Sequence, residues 1–260
     1  MKQNSCENLF IISGASKGLG KEIFIELTSR GGVAILIAKN KKLLNCLYKT
    51  YSSHNLEIHL LSLDINSPEF EKEFTKKLDN IIVKNEKIKS IYLFNNASIV
   101  TPIKQIINTT RKEQEDTINI NLTSTIWITS EVLRATKKLN PIELYIINIS
   151  SGISLDPIEG WSLYCISKAG INLLTSSIVK ETKNWKTKVF AVSINPGAMD
   201  TDMQNTIRSS SVLESPSIER FVNMYDSGKL KSAKESACKI IDLLDNKEFI
   251  NGEFIDFNKK

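Results

Sequence analysis

The stretch Leu9-Phe10-Ile11-Ile12-Ser13-Gly14-Ala15-Ser16-Lys17-Gly18-Leu19-Gly20 runs from a short apolar segment into a glycine-rich turn, then into a helical pattern from Gly18 to Arg30. The glycines are spaced GxxxGxG. Glycines allow a tight turn and a close backbone approach, and a helix N-terminus favours a pyrophosphate. Alone, such a loop is a weak signal, because glycines also punctuate ordinary turns. Its place between a first strand and a first helix strengthens it.

Outward from this turn, apolar runs alternate with helical patterns. Strands are predicted at Leu9 to Ser13, Val33 to Ala38, Leu56 to Leu61, Ser90 to Asn95, Glu143 to Ser150 and Lys188 to Ile194, with a short last one at Phe254 to Phe257. Helical patterns follow at about 67–85, 112–138, 163–183 and 232–245. The inner strands are continuous apolar runs, as expected when both faces are covered. This alternation predicts an α/β, doubly wound parallel sheet in a single domain over 1–260. Residues 196–231 lack clear periodicity and follow a strand end, where ligands of open α/β sheets bind. They read equally as a substrate lid or as a surface excursion.

The 260 residues are 41% hydrophobic and 24% charged, which excludes a collagen-like or disordered chain. The net charge of +5 is mild and the lysines are scattered, so no nucleic-acid partner is expected. No stretch approaches the ~20 apolar residues of a membrane helix. The polar start, Met1 to Asn8, and the short apolar run behind it predict no signal peptide. Cys6, Cys46, Cys165 and Cys238 form no CxxC or zinc pattern and read as free thiols of a cytoplasmic protein. With only His54 and His59, neither a histidine-based triad nor a metal site is expected.

About 20 residues past the loop, an acidic side chain would accept the ribose 2′-hydroxyl of NAD. Here the second strand ends in Lys39, and Lys17 sits inside the loop. Two cations in these places suit the 2′-phosphate of NADP(H); the alternative is a pair of ordinary solvated lysines. Asp64, after the third strand, reads either as facing an adenine or as a capping residue.

Tyr164-Cys165-Ile166-Ser167-Lys168 sets a tyrosine and a lysine one helical turn apart. A tyrosine ordinarily titrates near 10, and a neighbouring ammonium lowers that value. The pair can therefore donate a proton to a carbonyl oxygen. YxxxK is not specific, since Tyr225-Asp226-Ser227-Gly228-Lys229 repeats it. The first copy leads into the buried pattern Ala169, Ile171, Leu174 and Ile178; the second holds a glycine and leads into none. Ser150 and Ser151, at a strand end, read as donors to a substrate carbonyl or as turn caps.

Taken in order, Gly14 to Gly20, Asn95-Asn96-Ala97, Asn121, Ser151, Tyr164-xxx-Lys168 and Pro196-Gly197 resemble the short-chain dehydrogenase/reductase family over essentially the whole chain. The resemblance implies a Rossmann-like sheet of order 3-2-1-4-5-6-7 with helices on both faces. It implies that Tyr164 is the general acid and that Ser151, thirteen positions before it, polarises the carbonyl. Lys168 would hold the nicotinamide ribose and depress the tyrosine. Asn121 would hold a water that links Lys168 to solvent. The cofactor would lie along Gly14, Ser16, Lys17, Gly18, Leu19 and Gly20, then Lys39, Asp64, Asn95, Asn96 and Ala97, and would reach Tyr164, Lys168, Pro196, Gly197 and Thr201. Ser98 stands where the family has the glycine of NNAG. The family also pairs subunits through the helices near 112–138 and 163–183, so a homodimer is expected, with a tetramer as runner-up. Trp127, Ile128, Leu173 and Leu174 belong either to that contact or to the core.

Gly160 to Cys165, Asn195 to Gln204 and Gly252 to Phe257 look like the sepiapterin reductase and bacterial benzil reductase group, with Thr101 to Lys104 and Ile207 to Ser210 closer to the latter. That group implies NADPH-dependent reduction of a ketone or 1,2-dicarbonyl. The alternatives are a true pteridine reductase and a catalytically silent NADP-binding sensor. Asp256 matches an aspartate that anchors a pterin ring, and Trp161, Met199 and Met203 would line the substrate pocket beside Ser151 and Tyr164.

Overall fold

The computed structural model describes residues 7–137, 139 and 142–259. Cys6 and position 138 of the expected 112–138 helix lie outside them. Seven strands form one parallel sheet: β1 (Asn8–Ser13), β2 (Gly32–Ile37), β3 (Leu56–Leu61), β4 (Ser90–Asn95), β5 (Glu143–Ile149), β6 (Lys188–Asn195) and β7 (Phe254–Asp256). Their order is β3-β2-β1-β4-β5-β6-β7. In the central register Ile11 pairs with Ile35 on one side and with Leu93 on the other.

Alternation along β1 explains why both faces are covered. Leu9 and Ile11 point to one core and Phe10 and Ile12 to the other, because successive strand side chains face opposite ways. The Leu9 face packs on α3 (Pro68–Lys84), whose Phe70, Phe74, Leu78 and Ile81 recur at helical spacing. It also packs on α5 (Ser124–Lys137) and α6 (Ser162–Thr182) through Ile128, Val132 and Ile178. The Phe10 face packs on α1 (Gly18–Leu27) and α9 (Ala233–Asn246). Each such fully buried side chain contributes about 1.5–3 kcal/mol. Ser232 and Glu235 close a capping box that starts α9.

Three features differ from the sequence expectations. A helix, α2 (Lys41–Tyr51), follows β2, capped by Asn40, whose side chain accepts from the Leu43 amide. It buries only Leu44 and Leu47, too narrow a stripe to stand out in a lysine-rich stretch. The helix expected at 112–138 is α4 (Arg111–Ile118), a π-turn (Asn119–Thr123) and then α5. The 196–231 excursion contains α7 (Asp202–Arg208) and α8 (Ile218–Asp226). A bridge between Met199 and Lys231 closes its base.

Of the four residues considered for subunit contact, Ile128 is buried. Leu174 packs against the same core. Trp127 sits edge-on to Phe70 and Phe74. Leu173 points outward, 69% exposed. Among the described residues no helix is long and apolar enough to cross a membrane, and no group of three His, Cys, Asp or Glu side chains is placed to hold a metal ion.

Candidate active site

The carboxyl ends of β1, β2, β4, β5 and β6 open into a cavity of about 2080 Å³. That is larger than the few hundred to about 1,000 Å³ of an ordinary small-molecule pocket, and leaves room for a dinucleotide and a second ligand.

At one end lies the glycine turn. Gly14 and Gly18 have φ of 67° and 53°, in the left-handed region that favours glycine. A Cβ on Gly20 would stand 2.4 Å from the Gly14 carbonyl oxygen, so only glycine lets α1 close on the loop. Asn96 staples β4 to this loop: its Nδ2 donates to the carbonyls of Ser13 and Gly14 at 3.0 and 3.2 Å. Ser13 Oγ accepts from the amides of Asn96 and Ala97, both at 3.0 Å. Lys17 at the N-cap of α1 makes no side-chain cap, and the first turn carries no acidic residue. That helix end faces the cavity with the amides and partial positive charge that suit a pyrophosphate. The residues present therefore fit a dinucleotide.

Ser16, Leu19, Ala97, Pro196, Gly197 and Thr201 share the wall with these groups. Both lysines proposed for the 2′-phosphate carry a carboxylate partner: Lys39 pairs with Asp64 at 2.9 Å and Lys17 with Asp202 at 2.7 Å. Both pairs are substantially exposed. The Lys39 contact holds Asp64 below the usual carboxylate range, against the opposing effect of burial.

The catalytic candidates gather where β5 meets α6. Tyr164 and Lys168 lie one turn apart on α6, with the Lys168 ammonium 5.3 Å from the Tyr164 ring centre. Lys168 is 2% exposed and its Nζ donates to the Ile149 carbonyl at 2.8 Å. Burial pushes it down to about 7. Burial also pushes Tyr164 up to about 12, which the Ser98 hydroxyl beside it partly offsets. Sequence reasoning expected the lysine to depress the tyrosine; here burial is the largest influence and raises it. The phenol is protonated at neutral pH, as an unperturbed tyrosine also is, which is the form a proton donor needs.

The two serines separate clearly. Ser150 is buried, and its hydroxyl donates to the Lys168 carbonyl at 3.3 Å. Ser151 is extended, half-buried and on the cavity wall with a hydroxyl that has no hydrogen bond among the described residues. It is the serine available to a ligand.

Three expected site residues are not on the wall. Gly20 acts through loop closure. Asn95 is 4% exposed and bonds to Thr129 at 2.9 Å and to Asn148 at 2.8 Å, which places it in the core beneath the site. Asn121, in the π-turn, is fully buried. Its side chain clamps the Ile99 backbone, accepting from the amide and donating to the carbonyl at 2.8 Å each, and makes no bond to Lys168.

At the far end, Trp161 packs edge-on to Tyr164 at 6.1 Å. Its indole N–H is shared between the hydroxyls of Ser215 and Ser217 at 3.0 and 3.1 Å, which ties the 196–231 excursion to α6. Met199 and Met203 join this wall. Asp256 Oδ1 accepts from Asn195 Nδ2 at 2.8 Å and from the Asn258 amide at 2.9 Å. Its Oδ2 lies over Gly152, 3.9 Å from where a Cβ would stand. Tyr225, from the second YxxxK, is half exposed beneath Arg208 and away from the cavity.

Sequence reasoning missed Ser13, Ser215 and Ser217. A strand-end serine and two serines in an aperiodic segment carry no pattern that marks them.

A model of the short chain dehydrogenase family matches residues 8–211. A benzil reductase ((S)-benzoin forming) of Bacillus cereus is 34% identical over 94% of this chain and 97% of its own length. A sepiapterin reductase of Bos taurus is 30% identical over 96% and 94%. The solved structure of a short chain dehydrogenase/reductase from Saccharomyces cerevisiae superposes with a TM-score of 0.79 at 23% identity, covering 97% of this chain and 96% of its own.

Proposed function

The chain belongs to the short-chain dehydrogenase/reductase family, and on that premise we propose that it is an NADPH-dependent reductase of ketones and 1,2-dicarbonyls. The observation that carries this reading is the meeting of Ser151, Tyr164 and Lys168 on one wall with the uncapped glycine-loop helix. The benzil reductase similarity supports the substrate class.

In this reading the α1 N-terminus, with Gly14, Ser16, Gly18 and Leu19, holds the pyrophosphate. Lys17 and Lys39 face the 2′-phosphate and Asp64 the adenine. Asn96, Ala97, Pro196, Gly197 and Thr201 line the nicotinamide half, and Lys168 binds its ribose. NADPH, when bound, supplies the hydride. The chain does the rest. Ser151 donates a hydrogen bond to the substrate carbonyl oxygen and fixes its direction. Tyr164 gives its phenolic proton to that oxygen as the carbon is reduced. The apolar wall of Trp161, Met199 and Met203 keeps water from the reacting carbonyl, and 196–231 serves as the lid. The whole chain acts as one catalytic domain, as a cytoplasmic homodimer.

A second reading, pterin reduction, is favoured by Asp256, which keeps one oxygen for a ligand's N–H groups while the other is anchored. The test is a screen of NADPH consumption with benzil, other diketones and sepiapterin. The reductase reading predicts turnover of at least one diketone, and no turnover of any carbonyl contradicts it.

A further inference from the structure

Ser98 stands where the family's motif has glycine, in the loop that leaves β4. Its backbone does not need glycine: among the described residues only Lys247 combines a side chain with a positive φ. The substitution therefore leaves the turn intact and adds a hydroxyl to it.

That hydroxyl is held in place from both sides. The Ala97 amide is bonded to Ser13 Oγ at 3.0 Å. The Ile99 amide and carbonyl are both clamped by the Asn121 side chain at 2.8 Å. Ser98 lies between two pinned residues and has little freedom to turn away. Its Oγ is buried on the cavity wall that Tyr164 shares and lies next to the phenol, where it favours ionisation without forming a well-aligned hydrogen bond. A buried hydroxyl without a partner is costly, about 1–3 kcal/mol, unless something completes it.

The reaction proposed above supplies the missing partner. The carbonyl carbon accepts the hydride that NADPH supplies; the carbonyl is reduced to an alcohol and the nicotinamide oxidised. The Tyr164 O–H bond breaks, a new O–H bond forms on the substrate oxygen, and the negative charge rests on the Tyr164 oxygen until solvent returns a proton. An oxyanion there is a far better acceptor than the neutral phenol. We propose that Ser98 is a positioning residue for Tyr164, whose hydroxyl donates to the phenolate oxygen left when the proton is given up. This inference rests on the reductase reading for its chemistry but not for its test.

The other groups around the phenol do not duplicate this role. Cys165 and Lys168, on its own helix, are the titratable neighbours, and the thiol opposes ionisation. The lid helices α7 and α8 meet Tyr164 and Trp161 with apolar side chains, Met203, Ile207, Ile218 and Phe221. Ser98 and Ser151 both bring neutral hydroxyls to this cavity, and with Ser151 assigned to the substrate oxygen, Ser98 is left for the phenol.

The test is an alkaline titration of the Tyr164 phenol by NMR of ring-labelled tyrosine in the whole protein, with the resonance assigned by its loss in Tyr164→Phe. In Ser98→Ala and Ser98→Gly the phenol should ionise at higher pH than in the wild type, with about tenfold less phenolate at a given alkaline pH, the size expected of a hydrogen bond to a charged group. Ser98→Thr, which keeps the hydroxyl, should follow the wild type. In parallel, kcat for benzil should fall about tenfold in Ser98→Ala with KM little changed, and the alkaline limb of its pH profile should move up. An unshifted titration in both Ala and Gly variants overturns the proposal whatever the rates do. A wild type that reduces no carbonyl sinks the reductase reading instead, and the titration still decides the role of Ser98.

Discussion

Lys168 Nζ stands 5.3 Å from the centre of the Tyr164 ring, yet donates at 2.8 Å to the Ile149 carbonyl. The cation is thus held at the catalytic wall by the strand that ends there. Its attraction for a phenolate is available without being spent on the neutral phenol. A lysine buried this deeply is costly to keep charged, which is why its value falls to about 7.

A stability consequence follows from that burial. An unfolded lysine titrates near 10.4. Between about 7 and about 10 the unfolded chain binds the additional proton, so wild-type stability should rise with pH across that window. Above about 10 the raised Tyr164 reverses the trend, because the native phenol keeps a proton the unfolded one has lost. Lys168→Met should be more stable than wild type near neutrality and should flatten the rise, while losing activity. Denaturation midpoints across pH measure this; parallel curves for the two proteins would falsify the assigned cause.

Tyr164→Phe should bind NADPH normally and lose about 10²–10⁴-fold in turnover, the contribution of a general acid. Tyr225→Phe should keep most turnover, since its ring lies outside the cavity. Equal losses in the two variants would remove the assignment.

NADPH should be preferred to NADH by at least ~1–2 kcal/mol, the worth of charge-assisted contacts to a phosphate. Lys39 now pairs with Asp64, so the phosphate must compete with that carboxylate. Lys39→Asp leaves two acids facing the 2′ position and should erase or reverse the preference. Equal kcat/KM with both cofactors in the wild type would rule the cation pair out as the discriminator.

Asp256→Ala should harm pterin reduction by about 1–3 kcal/mol in kcat/KM, because a pterin offers N–H groups that a carboxylate accepts. Benzil offers none and should be spared. A matching loss on both substrates would mean that Asp256 acts by holding Asn195 and the turn at Asn258.

The sheet was legible because its inner strands are nearly continuous apolar runs and its glycine turn sits between strand and helix. The order of the strands and the choice of Ser151 came through the family resemblance; the structure shows that order, and of the two neighbouring serines it ties Ser150 to the Lys168 carbonyl and puts Ser151 on the cavity wall. What stayed hidden depends on contacts distant in sequence. Asn95 and Asn121 read as site residues, but one is spent on Asn148 and the other on Ile99. Helix α2 stayed hidden because two buried leucines among lysines make a faint stripe. The raised Tyr164 could not be foreseen either, since burial has no local signature.

The most direct test of the central claim follows NADPH absorbance with purified protein and benzil, beside Tyr164→Phe under the same conditions. The account predicts stoichiometric conversion of NADPH and benzil to the hydroxyketone by the wild type, and loss of most of that rate in the variant although NADPH still binds. A wild type that binds NADPH tightly but consumes none with benzil, other diketones or sepiapterin would contradict it and point to a sensor.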